Sequence, residues 1–128
     1  MSENEQPAVK DEDDEHPIAS AWRPTFREIA SAFAEGDFRL ERGIDSVEPV
    51  SEETANQIRD YVADYGETLV ALPGETWESS VAQWMGTHWD VLVDLWTEGE
   101  GRSDLVLDAK VYETEAGYRF KVHLVYVP

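Results

Sequence analysis

The 128-residue chain is one domain by length, and with 41% hydrophobic and 11% aromatic residues it can bury a core. It has no cysteine, which excludes disulfides, Cys-based metal sites and thiol chemistry. Its 28 Asp and Glu against 10 Lys and Arg give a formal net charge of -18, and the lysines Lys10, Lys110 and Lys121 are scattered, so binding to nucleic acid or to an anionic membrane is not expected.

The chain opens Met1-Ser2-Glu3-Asn4-Glu5, with neither a basic start nor an apolar run behind it. A secretory signal is therefore not expected, no stretch is apolar for long enough to span a bilayer, and the expected compartment is the cytoplasm. Residues 1–17 hold Glu3, Glu5, Asp11, Glu12, Asp13, Asp14 and Glu15 against Lys10, with Pro7 and Pro17. Such a composition cannot offset its ordering entropy, which predicts a disordered acidic tail over 1–17 and a single domain over 18–128.

Trp22-Arg23-Pro24 announces a first helix, with proline near the first turn, Phe26, Ile29, Ala30 and Phe33 at helical spacing, and Gly36 as the stop. A second helix opens at Ser51, a good N-cap followed by Glu52 and Glu53 where the helix dipole favours negative charge. Its apolar stripe is Ala55, Ile58, Tyr61, Val62 and Tyr65, and Gly66 is placed for a left-handed C-cap. Between the two, Asp37 to Val50 is a loop that Phe38 and Leu40 tuck onto the core.

From Thr68 the hydrophobic period becomes two. A short strand, Thr68 to Leu72, ends at Pro73-Gly74, and Trp77 to Met85 is a plausible second. Three clear strands follow. In His88 to Trp96 the apolar positions are Trp89, Val91, Val93 and Leu95; in Asp104 to Tyr112 they are Leu105, Leu107, Ala109 and Val111. In Tyr118 to Val127 they are Tyr118, Phe120, Val122, Leu124 and Tyr126. Matching core faces across the last hairpin requires an even loop, which Thr114 to Gly117 supplies. The pairing then sets Leu105 opposite Tyr126, Leu107 opposite Leu124, Ala109 opposite Val122 and Val111 opposite Phe120. The expected architecture is α+β: two N-terminal helices on an antiparallel, mostly meander sheet of four to five strands.

The same parity fills the other sheet face with polar groups. Asp90 falls near Lys110 and Lys121, Asp108 near His123, and His88 near Tyr112 and Arg119. Imidazole beside carboxylate suits acid–base chemistry or a metal. Cross-strand ion pairing on a solvated face explains the same residues, and without any ligand spacing it is the favoured reading; no catalytic residue, metal or cofactor is assigned. One end of that face is apolar, with Leu92, Trp96, Val106 and Val125. It is either covered by the protein's own chain or a patch for a partner. Trp89 belongs to the core and Trp22 to the start of the first helix, while Trp77 and Trp84 are left unplaced. No phosphate loop, nucleophile elbow, His-Glu-x-x-His or heptad seam is present.

Ala32-Phe33-Ala34-Glu35-Gly36-Asp37 is similar to the end of the first helix in the nuclear-transport-factor-like, or ketosteroid-isomerase-like, superfamily, where helices also precede a curved antiparallel sheet. More widely, Trp22-Arg23-Pro24, the run Gly86 to Trp96 and the ending Arg119-Phe120-Lys121-Val122-His123-Leu124-Val125-Tyr126-Val127 resemble an uncharacterised bacterial family, a domain of unknown function. That resemblance implies a bacterial cytosolic origin and brings no activity with it. The expected function is a non-catalytic, inhibitor- or immunity-like binding domain for a basic protein partner, acting as a monomer or weak homodimer. The alternative is a cone-shaped ligand-binding or enzymatic domain with a pocket between sheet and helices.

Overall fold

In the computed structural model, which describes residues 5–128, helix α1 runs from Arg23 to Ala34 with Pro24 in its first turn. A 3₁₀ turn, Ser20–Trp22, feeds directly into it. Its buried face is Phe26, Ile29, Ala30, Ala32 and Phe33, and each large apolar side chain there contributes roughly 1.5–3 kcal/mol by leaving water. The helix stops at Gly36, whose φ of 86° is the left-handed conformation that glycine adopts without strain. Helix α2 spans Glu52–Tyr65, with the Thr54 N–H donating to Ser51 Oγ at 3.2 Å and Gly66 closing the last turn. Both helices therefore start and end where the sequence predicts.

Among the described residues the sheet has six antiparallel strands: β1 (His16–Pro17), β2 (Leu69–Val70), β3 (Val81–Trp84), β4 (Trp89–Thr97), β5 (Gly101–Thr114) and β6 (Gly117–Tyr126). Their order is β1-β3-β4-β5-β6, with β2 also paired to β4. The α+β class and the β3 to β6 meander are as expected, but β1 precedes both helices. The strand expected over Trp77 to Met85 is confined to Val81–Trp84, because Gly74–Glu78 forms a 3₁₀ turn that carries Trp77.

That turn has a structural task. β3 pairs with β4 up to Leu92 and β2 resumes at Trp96, which leaves Asp94 without a partner strand on that edge of β4. Thr76 Oγ1 donates to the Asp94 carbonyl at 2.6 Å, and Ser80 Oγ accepts from the Asp94 N–H at 2.9 Å. Two buried hydroxyls thus replace the missing ladder bonds.

The inner sheet face, with Trp89, Val91, Val93, Leu95, Leu105, Leu107, Ala109 and Val111, packs on the helices in one continuous core. Trp22 meets Trp89 edge-on with ring centres 5.0 Å apart, and Phe26 meets Phe120 at 5.5 Å. Between the helices, Phe38 and Leu40 fold onto the core as expected, and Val47 makes a parallel bridge to Phe120.

One expectation needs correction. The β5–β6 pairing follows the predicted register from Val111–Phe120 to Ala109–Val122, then shifts: Asp108 faces Leu124, Leu107 faces Val125 and Val106 faces Tyr126. A bulge at His123 is the cause. It turns Val125 into the core, fully buried, and puts Leu124 and Tyr126 on the other face. The hairpin is also tighter than predicted, since Thr114 pairs with Gly117.

Residues 1–4 lie outside the described residues, but from Gln6 to Pro17 the chain lies against the domain. The Ser20 N–H donates to the Gln6 carbonyl at 2.9 Å, Trp89 Nε1–H donates to the Val9 carbonyl at 2.9 Å, and His16 and Pro17 pair with Ala82 and Val81. Composition misses this because the anchors are backbone groups and the tryptophans they meet are distant in sequence.

Candidate functional site

Strands β4, β5 and β6 bring the polar residues of the outer face together largely as their parity predicts. Asp90 stands opposite Lys110, which in turn stands opposite Lys121. Lys110 Nζ donates to Asp90 Oδ1 at 2.7 Å, and His88 Nε2 lies 3.1 Å from the same oxygen. The Asp90 carboxylate holds the Lys110 ammonium in its charged form and raises its pKa. Tyr112 stacks between His88, 5.3 Å from its ring centre, and the Arg119 guanidinium, 5.8 Å away. Arg119 also reaches Glu48 at 3.7 Å. Lys121 and His123 point to solvent.

Asp108 sits in a different environment. Burial raises its carboxyl pKa, against the opposing pull of His123 and Lys110. Tyr126, turned outward by the bulge, lines the same recess, and its hydroxyl pKa is pushed up by burial and by the Asp108 charge. Asp108 and Tyr126 line a recess of about 220 Å³ together with Asp90, Leu92, Gln83, Val81 and Glu15. Sequence reasoning misses Tyr126, because regular alternation places it inside, and Glu15, because nothing in an acidic run marks one residue as docked. Among the described residues, no group of three or more His, Asp or Glu side chains is arranged to hold a metal ion.

The apolar residues Leu92, Trp96, Val106 and Val125 do not form one patch. Val125 faces the core, and Val106 is buried beside Asp94 under the tied 3₁₀ turn. Leu92 and Trp96 remain half-buried; Trp96 lines a separate recess with Glu75, Glu78, Ser79, Glu100 and Arg102. The two unplaced tryptophans are structural. Trp77 is buried with the Arg23 and Arg27 guanidiniums over its ring at 5.5 and 5.7 Å, and Trp84 packs on Trp89 at 4.6 Å.

The space between sheet and helices is filled by Trp22, Trp89, Phe26, Phe33, Ile29 and Ile58, each at most 2% exposed. With this geometry in hand, comparison with known proteins gives one match: the model of a family described as Domain of unknown function (DUF7668) matches residues 30–128. The chain belongs to that family. The DUF7668 match covers α2, β2 to β6 and the end of α1, and with them the whole Asp90–Asp108 face; the segment up to Ile29, with β1, lies outside it. No curated protein and no solved structure matches the chain, and the comparisons show no likeness to the nuclear-transport-factor-like superfamily suggested by Ala32–Asp37. Among the described residues no helix is long and apolar enough to cross a membrane.

Proposed function

We infer that this DUF7668 protein is a non-catalytic binding domain whose partner is a protein with a basic surface, received on the outer sheet face around Asp90 and Asp108. The observation that carries the reading is the recess lined by Glu15, Asp90 and Asp108 on a chain of net charge -18. Lys110 is committed to Asp90, and among the described residues Asp108 and Glu15 have no cation within bonding distance. Such a face attracts a cationic surface at long range and speeds its capture, an effect that falls with ionic strength. The filled core favours recognition at the surface over a ligand held between sheet and helices.

The reading is tested by titrating the protein with an oligolysine peptide while following amide NMR shifts at about 50 mM and about 300 mM salt. Saturable shifts concentrated at Asp90, Asp108 and their neighbours, and weakened by salt, are the expected result. Shifts spread evenly over every acidic residue, or none, defeat it.

A further inference from the structure

Residues 6–17 form a strap with tied ends. Gln6 and Ser20 exchange two hydrogen bonds, at 2.7 and 2.9 Å, and the chain between them crosses Trp89, turns at Asp11 to Asp14 and returns along the edge of β3. On the way, Lys10 Nζ reaches Glu113 Oε1 at 2.8 Å and lies 5.1 Å from the Trp84 ring centre. Gln83 Nε2 donates to the Glu12 carbonyl at 3.1 Å. The end of the strap, His16–Pro17, is therefore a short strand added to the β3 edge, the geometry in which sheets capture peptides.

Its charge does not suit its seat. Asp11 to Glu15 are five consecutive acids, and among the described residues only Asp11 has an ion-pair partner, His16 at 3.0 Å. Glu15 is placed on the recess that Asp90 and Asp108 already line. The segment's single lysine makes the one favourable charge contact with the domain, on Glu113 and Trp84. Adding negative charge beside Asp90 and Asp108 is electrostatically unfavourable, so a segment with lysines where the strap has acids suits this seat better than the strap does.

We propose that the β3 edge, Val81 to Trp84, with Glu113 and Asp90 beside it, is the docking site for an extended lysine- or arginine-rich segment of the partner protein, and that the strap occupies this site in cis until the partner displaces it. Lys10 shows how a partner lysine is held: its ammonium lies over the Trp84 ring and bonds to Glu113. The proposal rests on the basic-partner reading and adds to it the place, the strand-like mode of binding and the competitor.

The test uses the full chain and a labelled peptide of the strap's own sequence, Gln6 to Pro17, carrying D13K, D14K and E15K. Binding is followed by fluorescence anisotropy and amide NMR. The expected result is binding that shifts the Val81–Trp84 amides and the Trp89 indole N–H while the strap's own amides become mobile. The unaltered acidic peptide binds about tenfold more weakly. The full-chain variant Lys10→Glu, which sets a like charge on Glu113, binds the basic peptide about fivefold more tightly because its seat is vacant more of the time. Equal affinity for both peptides, an unchanged affinity in Lys10→Glu, or a strap that stays rigid in the complex overturns the proposal. If oligolysine still shifts Asp90 and Asp108 while the strap stays in place, displacement alone has failed; if neither probe binds, the basic-partner reading fails with it.

Discussion

Asp108 and Asp90 lie on neighbouring strands of one face, yet their surroundings separate them. Asp90 is neutralised by the Lys110 ammonium at 2.7 Å, whereas burial disfavours the charged form of Asp108. Because the folded-state pKa of Asp108 is raised above its ordinary value, its contribution to stability is fully present below that ordinary value and is lost as pH rises through the folded one. Asp108→Asn removes the charge and nearly preserves the shape of the side chain. At neutral pH it should be more stable than the parent by under about 1 kcal/mol, and the gain should vanish as pH falls to about 3; chemical denaturation across that range measures it. The nearness of Asp90 to Lys110 and of His88 to Tyr112 was legible from alternation together with the expected pairing of the two strands. The environment of Asp108 was not, because it depends on Tyr126 and on how the strap lies over the recess.

At the level of elements, the helix boundaries follow from local chemistry: Pro24, Ser51, Gly36 and Gly66 act on their own backbone turns. Strand faces are also local until a bulge intervenes. His123 is the extra residue on β6, opposite the step from Ala109 to Asp108. Deleting His123 should therefore restore plain alternation with Val125 still inward, giving a protein that folds and unfolds cooperatively within about 1–2 kcal/mol of the parent. In the regular register expected from the sequence, the same deletion would turn Leu124 and Tyr126 out of the core and unfold the domain. Thermal and denaturant melts of the deletion variant separate the two cases. The 3₁₀ turn with Trp77 escaped prediction for a related reason: Thr76 and Ser80 are ordinary loop residues until Asp94 presents an unpaired backbone to them.

At the scale of the whole molecule, a net charge of -18 spread over strap and domain opposes compaction through self-repulsion. Salt shortens the range of that repulsion, with a Debye length near 30 Å at about 0.01 M and near 8 Å at about 0.15 M. The melting temperature should accordingly rise by several degrees between those concentrations, a size equivalent to about 1 kcal/mol in a domain of this length; differential scanning calorimetry checks it, and a flat or falling Tm contradicts it. Composition, period and capping residues were enough to determine the α+β class, both helices, the β3 to β6 meander and the pairing of Asp90 with Lys110, because each is set by neighbours in the chain or by parity across one hairpin. Tertiary structure alone decided the inward turn of Val125, the burial of Val106 and the seating of the acidic strap on the β3 edge. Those features depend on partners far apart in sequence: Val9 with Trp89, Lys10 with Glu113, Thr76 with Asp94. No local pattern encodes such meetings, since each becomes favourable only after the rest of the core has brought the two groups together.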